Sequence, residues 1–397
     1  MRMLSAPQRA AERSTAQADE PMQLQFAVPD IGQEEIDRVT RCLQSGWLTT
    51  GAECKEFEAR FSSLMGGIHS LAVNSATAAF ALLFHALKIG EGDEVISSCW
   101  TFSSPVMEIY KTGARPVLVD VDANTLNIDP KALEAAVTLR TKGIVVTHFA
   151  GLPCDMHAVQ TIARKHGLWI VEDAAHALPA YHERQLLGTL DTLATVFSFY
   201  ATKTMTTGEG GMLVTRNEEI ARSANISRLH GIDRDVFSRH SQFGVSWRYE
   251  VVDVGFKANM TDLAAAIGIA QLGKLFVLAA KRKQLAQRYS AGLRDAPIQL
   301  PILEEHEKQS ADHMYVIRPR DVSRDRMVEH LKSRGIGTSV HFIPLHLHRF
   351  WQKCLGVGES TCPVATEEFQ RVLSLPLHSK MTFDDVDRVI DAIIELF

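Results

Sequence analysis

Several features are scarce in this chain of 397 residues, and each scarcity removes a class of function. No apolar run reaches the roughly 18 to 20 residues a membrane-spanning helix needs. No block of Lys and Arg is dense enough to follow a nucleic-acid backbone or coat an anionic bilayer: 42 basic against 47 acidic residues leave a net charge of −5. Neither nucleic acid nor membrane is therefore expected as a partner. The six cysteines, at 42, 54, 99, 154, 354 and 362, form no CxxC pair and show no zinc-ligand spacing. They read as reduced, mostly buried thiols of a cytoplasmic protein. Residues 1–21, MRMLSAPQRAAERSTAQADEP, lack the apolar segment of a secretory leader and carry acids that a transit peptide avoids, so a disordered tail is expected there.

What remains is an ordinary globular composition with a clear rhythm. After the tail, EEIDRVTRCLQ sets Ile36, Val39 and Leu43 on one helical face, and GWLTTG ends that helix in a loop. From about residue 70, short apolar runs alternate with amphipathic stretches: DEVISSC, RPVLVDV, KGIVVTHF, LWIVEDA, ATVFSFY and GGMLVT. Between several of them lie helical segments such as ATAAFALLFHALKIG and MHAVQTIARKHG. This pattern predicts an α/β fold with a mainly parallel central sheet sandwiched by helices. The Ala- and Leu-rich stretch 261–290 reads as the link between a large domain, 22–275, and a smaller C-terminal α+β domain, 276–397. The chain ends in TFDDVDRVIDAIIELF, with a capping box at Thr382 and Asp385 and an apolar stripe read as core packing.

In such sheets ligands bind beyond the carboxyl ends of the strands. Asp173 sits at the end of LWIVED, where a carboxylate is costly unless it meets a cation or several donors. Helix N-cap and partner of a buried cationic ring both stand as its role. Lys203 follows ATVFSFY, with Ser198 and Thr202 nearby. In a partly dry setting its amine loses basicity and can form an imine with a carbonyl. At AVNSATAAF a strand turns into a helix, so the amides of Ala76 and Thr77 could hold a phosphate, although Ser75 as a plain N-cap fits equally. Phe102, after DEVISSCW, could stack on a flat ring or belong to the core. Taken together, a phosphate cradle, an aromatic plate, an Asp for a ring nitrogen and a Lys for an aldehyde are the set that pyridoxal 5′-phosphate requires.

With these residues in place the chain resembles the fold-type I pyridoxal-phosphate sugar aminotransferases of the DegT/DnrJ/EryC1/StrS family. The resemblance runs from about residue 25 to the C-terminus, through GWLTTG, GDEVI, ARPVLVDVD, VEDAAHA, SFYATKTMTTGEGGMLVT, DVGFKANMTDLAAAIGIAQL, VHFIPLH and VLSLPLH. It implies that Lys203 is the lysine that bonds to the cofactor and Asp173 the partner of its ring nitrogen. His176 matches a Gln-or-His position beside the ring, and Phe102 the stacking aromatic. Ala76, Thr77 and Ser198 match the phosphate group. In the family the segment equivalent to Gly255–Asn259 crosses a homodimer interface. This implies that Asn259, and less directly Lys257, serve the partner's site, while Trp47, Thr49 and Thr50 line the substrate entrance. Two departures stand out: Ser75-Ala76-Thr77 replaces the usual Ser-Gly-Thr, and Gly255-Phe256-Lys257-Ala258-Asn259 replaces Gly-Tyr-Asn-Tyr-Arg.

The implied activity passes an amino group from L-glutamate, through pyridoxamine phosphate, to a keto group of a nucleotide-linked sugar. Dehydratases of this fold carry histidine at the lysine position, whereas this chain has Lys203; a non-catalytic sugar sensor would need neither Lys203 nor Asp173. His341, His346 and His348 in HFIPLHLHRF raise the question of a metal, but the sequence places no Cys or carboxylate beside them, so no metal is expected. The polar segment 232–250, with Trp247, Arg248 and Tyr249, reads as a loop that could reach substrate across a dimer.

Overall fold

The computed structural model describes residues 23–233, 249–305 and 307–397. The tail 1–21 and the loop residues Trp247 and Arg248 lie outside the described residues. Seven strands form the central sheet: β1 (His69–Val73), β2 (Glu94–Ser98), β3 (Arg115–Val119), β4 (Thr141–Thr147), β5 (Trp169–Asp173), β8 (Ala194–Ser198) and β9 (Gly211–Thr215). Between β5 and β8, β6 (Tyr181–His182) and β7 (Gln185–Leu186) form a small hairpin. The spatial order is β1-β9-β8-β5-β4-β2-β3. β9 runs antiparallel to both of its neighbours and the other pairs are parallel.

The sheet is apolar on both faces, and the pleat sends alternate residues to opposite sides. Ile144, Val146, Ile170 and Phe197 join one core with Phe57 and Phe61. Their neighbours in sequence, Val145, Val171 and Val196, join a second core with Phe80, Leu83 and Phe84. Phe57 and Phe61 come from helix Ala52–Leu64, and Phe80, Leu83 and Phe84 from helix Ala76–Leu87. The architecture is thus three layers, helix, sheet and helix.

The Ala- and Leu-rich stretch 261–290 folds as two helices, Asp262–Gly273 and Leu275–Gly292, bent by 62° at Lys274. Beyond it a three-stranded antiparallel sheet, β10 (Ile298–Gln299), β11 (Tyr315–Pro319) and β12 (Leu373–Leu375), packs with the last helix, Phe383–Ile394. That helix begins with the capping box at Thr382 and Asp385 and buries Val386, Val389, Ile390 and Ile393. Leu24 also lies in this smaller core and bridges to Ile336, so the described N-terminal segment reaches into the C-terminal body. Among the described residues no single helix is long and apolar enough to cross a membrane.

Candidate active site

Strand register gathers the candidate residues at one edge of the sheet. Thr147 on β4 is opposite Asp173 on β5, and Asp173 is opposite Val196 on β8. Two residues further along β8, Ser198 faces Gly211 on β9, which in turn faces Val73 on β1. The phosphate-loop candidates follow directly. Ser75 caps helix Ala76–Leu87, its hydroxyl accepting from the Ala78 amide at 3.1 Å. The first amides of a helix have no partner within the helix, which leaves those of Ala76 and Thr77 to meet an anion. A β-carbon added to Gly211 would lie 2.6 Å from the Ala76 nitrogen and 2.7 Å from the Ser75 carbonyl carbon.

Lys203 stands in a tight turn that the end of β8 throws over the edge. Its amide donates to Tyr200 O (2.9 Å), while Phe199 O accepts from the Thr207 amide and the Thr206 hydroxyl, both at 2.9 Å. Gly208 takes a left-handed conformation, and a β-carbon on Gly210 would meet the Thr207 hydroxyl at 2.2 Å, so both glycines let the chain return as β9. Met205 anchors the turn in the core. Desolvation lowers the half-buried Lys203 amine to about 8, against the attraction of Asp173.

Asp173 is only 4% exposed. Its Oδ1 accepts from the Ala175 amide at 3.1 Å, and the Thr147 hydroxyl lies 3.5 Å from Oδ2 and 3.0 Å from the Thr101 hydroxyl. The Thr147 proton serves one of the two, so a carboxylate with about four acceptor positions is left short of donors. Burial raises its pKa, with the Ala175 amide and the Lys203 charge pulling the other way. A cationic N–H donor would relieve this buried carboxylate. His176 is buried too, and its Nδ1 has no hydrogen-bond partner. Burial and then Lys203 hold its pKa well below the usual range, so the ring is neutral.

Aromatic neighbours that sequence reasoning did not name complete this group. The Phe342 ring stacks on His176 at 5.8 Å with 21° between their planes and lies 6.0 Å from Phe102; the His313 ring is 4.7 Å from His176. Phe102 itself is 62% exposed, which leaves its ring open to a flat ligand. His341 is half-buried with its Nδ1 2.9 Å from the Ser374 hydroxyl, and burial followed by the Lys203 charge lowers it to about 4. The signal for Phe342 and His341 was the VHFIPLH motif, but nothing in its spacing tells that it folds back onto Asp173 and Lys203.

A second group forms around Asn259. Lys257 Nζ donates to Asn259 Oδ1 and Asn259 Nδ2 to the Thr50 hydroxyl, both at 2.7 Å, and Thr50 donates to Met260 O at 2.6 Å. Trp47 Nε1 donates to Thr50 O (3.2 Å) and Thr49 O accepts from the Asp262 amide (3.3 Å), so the expected substrate-entrance residues join this cluster. The backbone of 258–259 pairs with 73–74, with the Asn74 amide donating to Ala258 O at 2.8 Å. One chain therefore carries two groups, around Asp173 and around Asn259, on either side of its phosphate-loop candidate.

The residues fit pyridoxal phosphate: an orphaned nitrogen on His176, an under-bonded carboxylate on Asp173, a depressed amine on Lys203 and a helix start that only glycine lets β9 underlie. Fold and site together define a pyridoxal-phosphate-dependent enzyme of the fold-type I class. Residues 29–394 match the DegT/DnrJ/EryC1/StrS aminotransferase family, and the chain belongs to it. It is 46% identical over 378 residues to the spore coat polysaccharide biosynthesis protein SpsC of Bacillus subtilis, covering 94% of this chain and 97% of that protein. Among solved structures it is similar to Spr1654 of Streptococcus pneumoniae, described as a sugar aminotransferase and solved in PMP and PLP forms. The PMP form is 34% identical with a TM-score of 0.88, covering 93% of this chain and 98% of that one. PseC of Helicobacter pylori, an aminotransferase involved in the biosynthesis of pseudoaminic acid, is 27% identical with a TM-score of 0.86, covering 94% and 99%. The protein is a pyridoxal-phosphate-dependent sugar aminotransferase.

Proposed function

We propose that the amino donor is L-glutamate and the acceptor a keto group of a nucleotide-linked sugar, the product being an amino-sugar nucleotide for a polysaccharide or related glycan. The observation that carries this reading is the pairing of a depressed Lys203 amine with a buried, donor-poor Asp173 at one sheet edge. The relatives named above support the sugar acceptor. The six unpaired thiols agree with a cytoplasmic site of action. For the domains we keep the division at 275/276, supported by the bend at Lys274.

Pyridoxal phosphate, when bound, supplies an aldehyde carbon and an electron sink. Asp173 would receive its ring N–H, keeping that nitrogen protonated. Ala76, Thr77 and Ser198 would hold the phosphate, Phe102 would cover one ring face, and His176 Nδ1 would face the phenolic oxygen. Lys203 Nζ would hold the aldehyde carbon at rest. When free, Nζ would carry the proton from the donor Cα to the cofactor's aldehyde carbon, and in the second half-reaction it would carry one from there to the sugar carbon. An amine near pKa 8 suits both tasks at neutral pH, since it neither keeps its proton too firmly nor lacks one to give. The Asn259, Lys257, Thr49 and Trp47 group would complete the site of a partner subunit in a homodimer, supported by its place on the far side of the phosphate loop.

Loading the protein with pyridoxamine phosphate and screening nucleotide keto-sugars, with absorbance reporting return of the cofactor to its lysine-bound form, tests the acceptor. L-Glutamate against other amino acids tests the donor. Normal turnover by Lys203→Ala would overturn the reading.

A further inference from the structure

We propose that Cys99, His346 and Cys362 form a buried binding site for one divalent zinc-class ion, apart from the cofactor site. No spacing in the sequence announces it, because 246 residues lie between Cys99 and His346 and 15 between His346 and Cys362. The fold brings them together: Cys99 follows β2, His346 lies in the 3-10 turn Leu345–Leu347, and Cys362 precedes helix Pro363–Phe369. One donor atom from each lies within 4.8 Å of the other two, and all three residues are 0% exposed.

One nitrogen of His346 is hydrogen-bonded and the other is not. The Thr366 hydroxyl donates its single proton to Cys362 O or Glu359 O, both at 3.0 Å. It therefore accepts from His346 Nε2–H at 2.8 Å. This arrangement assigns the tautomer with a bare lone pair on Nδ1, and Nδ1 is buried with no hydrogen-bond partner. A ligating imidazole oriented through its other nitrogen is the usual arrangement around a protein-bound metal.

The segments bearing the ligands are held independently of any ion. Cys99 N donates to Val119 O (2.9 Å) and Cys99 O accepts from the Leu345 amide (2.8 Å), while the Asp120 carboxylate accepts from the Val364 and Ala365 amides (2.9 Å each). Charge selects the ion. As it enters, each thiol releases its proton to solvent, and two thiolates with a neutral imidazole make a divalent cation electrically neutral in a dry pocket, whereas a monovalent ion would leave a buried net charge. The ion would tie Cys99, three residues before Phe102, to His346, four residues after Phe342.

The test is zinc content of untagged holoenzyme expressed in zinc-supplemented medium, read by elemental mass spectrometry. One zinc per chain is expected in the wild type and in Cys54→Ala, whose thiol is buried elsewhere, and about tenfold less or lower in Cys362→Ser. Should Cys362→Ser fail to fold, Thr366→Val keeps all three ligands and is expected to lose its zinc at about 10- to 100-fold lower chelator concentration than the wild type. Wild-type protein with less than about a tenth of a zinc per chain, zinc content unchanged in Cys362→Ser, or unchanged chelator sensitivity in Thr366→Val overturns the site.

Discussion

Gly211 and Ala76 touch backbone to backbone: a β-carbon on the glycine would sit 2.6 Å from the alanine amide nitrogen. The end of β9 thus forms the floor beneath the helix start proposed to hold the phosphate. Gly211→Ala is expected to push that helix start away, weakening cofactor binding and costing about 1–3 kcal/mol of stability, the usual range for overpacking. Cofactor affinity from absorbance titration, with a thermal melt of the apoenzyme, checks both effects. Wild-type affinity in the alanine variant would show that the helix start does not serve the phosphate.

Asp173 has one good donor at present, the Ala175 amide. Asp173→Asn keeps the shape but cannot hold a proton on the ring nitrogen, so kcat should fall by about 10²-fold or more, the scale of a lost electrostatic contact to the reacting group. Single-turnover rates with glutamate, measured on variant protein shown to retain cofactor, separate this from loss of binding.

The depressed Lys203 amine makes two pH predictions. The rate at which apoenzyme captures pyridoxal phosphate should rise with pH and level off above about 8, where Lys203 is neutral. In the apoenzyme the charged form is the disfavoured one. Below pH 8 both folded and unfolded chains carry the proton and the full penalty of burying it applies. Between about 8 and 10.5 only the unfolded chain holds it, so stability relative to Lys203→Met should climb across that window. A capture midpoint near 10.5, or a flat difference in melting temperature, would contradict the burial argument.

His176 offers an unpartnered, neutral nitrogen beside the proposed ring position. Glutamine can present a hydrogen-bonding atom there and alanine cannot. His176→Gln should keep activity within a few-fold, while His176→Ala should lose about tenfold, close to the worth of one hydrogen bond. Equal losses in both would assign His176 to packing against Phe342 and His313.

The sharing of sites across a dimer can be tested by complementation. Lys203→Ala and Asn259→Ala homodimers should each be weak, since each lacks one residue in both sites. Subunits mixed at random should regain roughly a quarter of the native sites, because half the dimers are mixed and one of their two sites is intact. Sedimentation or light scattering gives the dimer itself. No recovery in dimers proven to have exchanged would place Asn259 in its own chain's site.

Much of this was legible in the chain because it depends on local order. Alternating apolar runs encode strands buried on both faces, and Ile144, Val145 and Val146 do point alternately into the two cores. The turn after β8 needs glycine at 208 and 210 for steric reasons that act within a few residues, so TKTMTTGEGG displayed it directly. Lys203 and Asp173 were recognisable because a charge that ends an apolar strand is costly wherever the strand lies.

What required the tertiary structure was everything that joins distant segments. The bend at Lys274 was hidden within a continuous helical pattern. Phe342 and His313 reach His176 through the return of the C-terminal body onto the sheet edge, and His346 meets Cys99 and Cys362 by the same return. Periodicity and turn chemistry act over a few residues and are written in the chain, whereas the proximity of side chains hundreds of residues apart is set by how the layers pack. For that reason the sequence by itself determined the class of chemistry, and only the packing of the two bodies decided which side chains surround it.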